Sequence, residues 1–214
     1  MENILAGIFG YLLGSLPTAF LVMKFAHQKD ITKEGSGNVG AMNSFEVSNS
    51  VLTGAIVLLI DAGKGFAAVF IASQISDSEF LAMGIALIAA VFAHCYSPWL
   101  KFKGGRGLAT AAGGSILLAW PILILWGIFW VVAYLFRKHI GLANIMATVL
   151  TLFIVFSSTE ALNKFAGYQA PNETLFILLS SIMLITILTK HYDPLKEYLD
   201  LQKGKSGEKK HEEL

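Results

Sequence analysis

Apolar runs close to the length needed to cross a bilayer recur along the whole chain, separated by short polar connections. The first runs from about Ile4 to Phe25 and contains "GSLPT" (Gly14 to Thr18), where glycine and proline predict a kink. A polar stretch, His27 to Asn49, separates it from a second run, Val51 to Ser73, which "DAGKG" (Asp61 to Gly65) interrupts. An acidic turn, "SDSE" (Ser76 to Glu79), precedes a third run, Phe80 to Pro98, and the basic loop "KFKGGRG" (Lys101 to Gly107) follows it. From Leu108 to Phe136 the chain is almost wholly apolar, too long for one upright span and short for two. Pro121 near its middle and basic residues at both ends predict a hairpin of two short helices. A run from Ile140 to Ser158, a polar loop from Thr159 to Glu173 and a last span, Thr174 to Thr189, complete the pattern. The charged tail begins at Lys190 and is expected to fray over about 203–214.

Composition and charge placement turn this pattern into a topology. With 55% hydrophobic residues in 214, the chain is far from an ordinary soluble domain. Lys29, Lys33, Lys101, Lys103, Arg106, Arg137, Lys138 and the tail lysines all fall on one side of the scheme. Lys164 is the exception, and Lys64 lies within a span. The expected fold is an all-α integral membrane protein of about seven transmembrane helices, with the N-terminus outside and the C-terminus in the cytoplasm. Residues 1–214 read as a single polytopic domain without an evident internal repeat. The opening "MENIL" lacks the basic region of a cleaved signal, so the first segment is expected to be retained. The lone cysteine, Cys95, excludes an intrachain disulfide and reads as a small buried side chain. A net charge of +1 gives no indication of a nucleic-acid partner.

Two glycine-rich stretches then share the cytoplasmic face. In "GSGNVGAMN" (Gly35 to Asn43) the glycines permit left-handed backbone angles, and successive amides can turn toward an anion. Ser36, Asn38 and Asn43 add side-chain donors, and a following helix N-terminus would favour phosphate. A tight loop that merely needs glycine and self-bonding asparagine fits the same residues. In "KFKGGRG", snorkelling anchors would explain Lys103 and Arg106 but not the glycines at 104, 105 and 107; a phosphate grip explains both. Asp61 and Lys64 lie three residues apart on one helix face, either as a neutralising pair or with Lys64 reaching into the polar site. His94, in "AHCYSP", and His191, in "TKHYDP", suit either a structural hydrogen bond or proton transfer. Trp120, Trp126 and Trp130 read as packing and interface residues. No metal-ligand spacing or nucleophile elbow occurs.

Taken in order and spacing, "GSLPT", "GSGNVGAMN", "DAGKG" and "HCYSPWLKFKGGRGLAT" resemble the motifs of the bacterial acyl-phosphate:glycerol-3-phosphate acyltransferases, the PlsY family, over essentially the whole chain. The resemblance implies a seven-helix enzyme of the bacterial inner membrane that needs no metal or other cofactor. It would move a fatty acyl group from acyl phosphate to the sn-1 hydroxyl of glycerol 3-phosphate, giving lysophosphatidic acid and phosphate. The implied partners are these two substrates, membrane lipid and the enzyme that supplies acyl phosphate. Ser36, Asn38, Arg106 and His191 match positions expected to carry catalysis. Gly35, Gly37, Asn43, Lys64, His94, Lys103, Gly104, Gly105 and Asn144 are expected to bind substrate. At Asn144, in "GLANI", the family usually has a small hydroxyl residue.

Several positions depart from the family pattern. Met42 stands where threonine is usual, Glu46 where a basic residue is usual, Arg106 where lysine is usual, and Pro194 where an asparagine is frequent. Ala93 replaces a glycine before His94, and the following proline is displaced by one place. Two other functions stay open on the sequence: a transporter of a small phosphorylated metabolite, and a catalytically weak relative with an altered acceptor. Polar motifs gathered at one face without a repeat favour catalysis over transport.

Overall fold

The computed structural model describes residues 1–76, 79–192, 195–196 and 198–200. Part of the acidic turn 76–79, Pro194 and the tail at 203–214 lie outside the described residues. The first apolar run is two helices, α1 (Glu2–Ser15) and α2 (Thr18–His27), broken at Leu16 and Pro17. The polar stretch after it, expected as a connection between apolar runs, holds a short helix, α3 (Ala41–Ser48). Next come α4 (Val51–Ile75) and α5 (Glu79–Cys95), with a 3-10 turn at Pro98–Leu100. The long apolar run forms α6 (Leu108–Leu118) and α7 (Trp120–Arg137). Then follow α8 (Ile140–Ser157), α9 (Thr159–Lys164) and α10 (Glu173–Thr189).

Among the described residues, five helical units are long and apolar enough to cross a membrane: Glu2–His27, Val51–Ile75, Glu79–Leu100, Trp120–Arg137 and Ile140–Ser157. Leu108–Leu118 and Glu173–Thr189 are shorter apolar helices. Two expectations change. "DAGKG" does not interrupt its helix: α4 runs unbroken for 25 residues, because Asp61 and Lys64 pair with each other inside it. The predicted hairpin is uneven, with 11 residues in α6 and 18 in α7, and Pro121 sits in the first turn of α7, where its missing N–H costs no helical bond.

Local chemistry sets several helix starts. The side chains of Ser50, His139 and Asn172 accept from the backbone N–H of Thr53, Leu142 and Leu175. Packing between helices relies on missing side chains. A Cβ added to Gly10 or Gly14 of α1 would collide with the backbone of Ala86 or Ala90 on α5. On α4, Gly65 lies against the Thr110 carbonyl of α6, and Gly113 of α6 lies against Ala62 of α4. In a bilayer such close approach, rather than water exclusion, holds helices together. A small second cluster (Ala19, Met23, Ile31, Val39 and Val57) packs beneath the connection between α2 and α3.

Replacing Gly10 with leucine should lower the thermal unfolding midpoint in detergent, with a cost of about 1–3 kcal/mol for overpacking. Gly63→Leu, where an added Cβ meets nothing within 4 Å, should leave the midpoint nearly unchanged. Equal effects at the two positions would contradict this packing.

Candidate active site

The first glycine-rich loop is folded around one amide. The Asn43 side chain is buried; its Oδ1 accepts from the Ser36 N–H at 3.0 Å. Its Nδ2 lies within reach of the carbonyls of Ile31 (3.4 Å), Glu34 (3.1 Å) and Asn38 (3.0 Å). Gly35 and Gly37 hold φ of +57° and +68°, which lets the chain wrap this tightly. A Cβ at Gly35 would strike the Asn43 side chain. The expected donor role of Asn43 therefore changes: its N–H groups serve the loop's own carbonyls, and its contribution is to shape the loop. Ser36 stays exposed at the tip, and Asn38 is half-buried. Glu46 is exposed on α3, which begins immediately after Gly40. Upstream, hydrogen bonding from Thr32 holds the Asp30 carboxyl below its ordinary value.

The second loop is pinned from below by α5. Gly105 donates its N–H to the His94 carbonyl at 3.1 Å, and Gly104 sits over the carbonyls of His94 and Cys95. Lys101 and Phe102 take left-handed angles, with Phe102 donating its N–H to the Ser97 carbonyl at 2.9 Å. A side chain on Gly105 would collide with His94 Nε2 and lie 2.7 Å from the Val39 carbonyl oxygen. That glycine is the point at which the two loops meet, since Val39 belongs to the first loop and Gly105 to the second. Lys103 is exposed and Arg106 half-buried on the same turn.

A buried polar cluster stands behind this junction. Lys64 Nζ is 2.8 Å from Asp61 Oδ1, with both side chains almost fully buried. The ammonium also reaches the carbonyls of Leu16 (2.9 Å) and Gly14 (3.3 Å), and His94 Nδ1 at 3.1 Å. Lys64 therefore takes the first of its two sequence readings, extended by carbonyls at the break between α1 and α2, where the Leu16 oxygen also accepts from the Thr18 N–H. An ammonium can only donate, so His94 Nδ1 accepts and its proton resides on Nε2, beside Gly105. Lys64 and His94, expected to bind substrate, join α1, α4 and α5 beneath the loops. Ser97 and Trp99 bind Ser15 at the same break. The sequence carried a signal for these links: a proline break in one apolar run and a lysine inside the next.

His191 follows the end of α10 and is buried. Its Nδ1–H donates to the Ile187 carbonyl at 2.8 Å, which leaves Nε2 as an acceptor. Nε2 has no hydrogen-bond partner among the described residues. Burial pushes this imidazole below the ordinary histidine value, the Ile187 carbonyl opposes that, and the Arg106 charge adds to the lowering. Gly107, which closes the second loop, lies beside α10 one turn before His191: a Cβ placed on it would be 3.7 Å from the Ile187 side chain. Tyr96 fixes that end of α10 through Thr189 (2.7 Å between hydroxyls) and the Lys190 ammonium over its ring.

Asn144 is less directly connected. Its Oδ1 accepts from Trp130 Nε1 at 2.6 Å, so its orientation belongs to the α7–α8 contact. Trp126 makes a similar bond to Thr148. Both tryptophans are helix-to-helix ties, as a packing role requires. Among the described residues no group of three histidines, cysteines or carboxylates could hold a metal. The arrangement offers two glycine loops in contact, cations on the second, and a buried acceptor nitrogen alongside. Chemically it suits holding a phosphorylated molecule while a proton-bearing group is oriented nearby.

Comparison with known proteins gives a consistent result. Residues 4–200 match the family model described as glycerol-3-phosphate acyltransferase. A glycerol-3-phosphate acyltransferase of Mesorhizobium japonicum is 36% identical over 207 residues, covering 96% of this chain and 97% of that one. Another, from Thermotoga petrophila, is 37% identical over 147 residues, covering 69% and 74%. The chain is also similar to crystal structures of PlsY (YgiH), an integral membrane glycerol 3-phosphate acyltransferase. The match to its glycerol 3-phosphate form has a TM-score of 0.77 at 25% identity, over 94% of this chain and 93% of that one. The match to its lysophosphatidic acid form has a TM-score of 0.75.

Breaking the buried cluster should be costly. Lys64→Met leaves Asp61 as an uncompensated buried charge and should destabilise the protein in detergent by about 3–5 kcal/mol. Adding Asp61→Leu to that variant should recover much of the loss, as read by thermal unfolding. A single variant as stable as the parent would show that the ion pair does not organise this region.

Proposed function

The chain belongs to the glycerol-3-phosphate acyltransferase family, and from that premise we propose a specific reaction. The protein is a membrane acyltransferase acting on glycerol 3-phosphate. Its donor is an acyl phosphate, and the acyl group passes to the sn-1 hydroxyl, giving lysophosphatidic acid and phosphate. The observation that carries this reading is the contact between the two glycine loops at Gly105 and Val39, because both substrates carry a phosphate and must meet. The donor is already activated, so the protein needs mainly to position the pair and neutralise charge. The hydroxyl oxygen attacks the acyl carbon, the carbon–oxygen bond to phosphate breaks, and the hydroxyl proton leaves with the departing phosphate. No acyl-enzyme forms.

Individual residues take roles in this scheme. Arg106 and Lys103 neutralise phosphate, and Arg106 grips it with its planar fork. Ser36 and Asn38 supply donors from the first loop, alongside the backbone at Gly35 and Gly104, while Gly37 and Gly105, whose N–H groups are held by the Glu34 and His94 carbonyls, let the backbone approach the substrate closely. Asn43 shapes that loop, and Lys64 and His94 support the junction. His191 Nε2 accepts a hydrogen bond from the attacking hydroxyl, which orients it and eases proton loss. Asn144 borders the site from α8. The exposure of Glu46 supports its being turned away from bound phosphate.

The proposed topology counts α1 with α2 as one crossing, followed by α4, α5, α6, α7, α8 and α10. The basic residues put the loops and C-terminus in the cytoplasm and the N-terminus outside. The setting is a bacterial inner membrane, where an enzyme releasing acyl phosphate can hand over its product.

Arg106→Ala should lower phosphate release from acyl phosphate and glycerol 3-phosphate by roughly 10²–10³-fold in purified detergent-solubilised protein. Parental rates in that variant would refute its role, and absence of release by the parent would favour a transporter. The lowered His191 pKa keeps the imidazole neutral on the acid side. The acid limb of kcat/KM should therefore fall below the ordinary histidine value of about 6.5. A limb centred above it would contradict the acceptor role.

A further inference from the structure

Two tryptophans of α7 donate to α8, and the two bonds differ in what they leave over. Trp126 Nε1–H donates to the Thr148 hydroxyl at 3.0 Å, and that hydroxyl donates in turn to the Asn144 carbonyl at 2.7 Å. Every proton of that pair is used, so it is a tie between helices. One turn further along α7, Trp130 Nε1 lies 2.6 Å from the Asn144 side chain. An indole nitrogen can only donate, so the atom facing it is the amide oxygen; the reversed amide would set N–H against N–H. The Nδ2 hydrogens therefore point elsewhere, and among the described residues no hydrogen-bond partner takes them. Asn144 is only 6% exposed, so these are donors withdrawn from bulk water and costly to leave unused.

Trp130 is itself held firmly. Its ring stacks on Tyr134, with 5.2 Å between centroids and 3° between planes, and the Lys138 ammonium lies over the Tyr134 ring at 5.8 Å. The height of the pair matches that of His191. Trp126 and Ile187 line one recess between α7 and α10. The start of α8 lies near the end of α10, because Tyr198, seven residues past His191, packs on His139 with 4.6 Å between ring centroids. Both α7 and α10 thus run against α8. One turn on from Trp126 is Trp130, and one turn on from Ile187 is His191. Unused buried donors on Asn144 and an unused buried acceptor, His191 Nε2, stand at one level of the bundle.

Resting on the acyl-transfer reading above, we propose that Trp130 is a positioning residue whose indole N–H fixes the Asn144 amide so that its Nδ2 hydrogens bind an oxygen of the phosphorylated substrate. A hydroxyl at this place could rotate to donate, whereas a carboxamide has one donating end and one accepting end and must be set. Without the indole N–H the amide can turn its oxygen toward the phosphate, which repels it.

The test is a double-mutant cycle on transfer from palmitoyl phosphate to glycerol 3-phosphate, using purified protein in detergent. Trp130→Phe keeps a ring against Tyr134 and removes the N–H; it should lower kcat/KM by about tenfold. In an Asn144→Ser background, where there is no amide to set, the same change should cost less than about twofold. Should Asn144→Ser not fold, Asn144→Ala takes its place in the cycle. Should Trp130→Phe not fold, Asn144→Asp decides: it is isosteric and still accepts from the indole but has no hydrogen to donate, and it should lose tenfold or more. Equal losses from Trp130→Phe in both backgrounds would make Trp130 a packing residue and overturn the proposal, as would parental kcat/KM in Trp130→Phe or Asn144→Asp; each leaves the acyl-transfer reading standing. No transfer by the parent protein would overturn that reading, and the proposal with it.

Discussion

One ammonium inside an apolar bundle constrains much of this structure. Lys64 cannot sit uncompensated between helices, so its surroundings must supply a charge and several acceptors. Asp61 supplies the charge from the next turn of α4. The break between α1 and α2 supplies the carbonyls of Gly14 and Leu16, and α5 supplies the ring of His94. Each partner fixes a different element. The consequence for the second loop is direct, because His94 presents both its carbonyl and its ring to Gly105.

Close helix contact does the remaining positioning. With no bulk at Gly10, Gly14, Gly65 or Gly113, α1 meets α5 and α4 meets α6 at backbone distance. That brings α6 far enough inward for Gly107 to rest on Cys95 and Val91, so the second loop ends against α5. The first loop comes to the same place differently. Asn43 gathers its backbone from inside, and Val39 packs with Met23 and Val57 beneath it. Loop shape and loop contact thus have separate causes, one local and one tertiary.

Much of this was legible from apolar periodicity and charge placement. Run lengths marked the long helices within a few residues, and "GSLPT" marked the break in the first. The motif set marked the family, which the comparisons bear out. Three features were not legible for physical reasons. The helix at Ala41–Ser48 lies in a segment whose serine, asparagine and glycine content favours turns, and packing overrides that preference. The inward turn of Asn43 depends on carbonyls up to twelve residues away, which spacing does not reveal. "DAGKG" looked like an interruption because charge and glycine usually end an apolar helix; pairing across one turn and a small-residue contact with α6 make both compatible with it.

The central claim is that the two glycine loops form one site for phosphorylated substrate. Hydrogen exchange read by mass spectrometry, across a titration with glycerol 3-phosphate, tests it most directly. The account predicts that amides of residues 31–40 and 103–107 slow together, with one concentration dependence. Slowing confined to a single loop, or two unrelated midpoints, would contradict it.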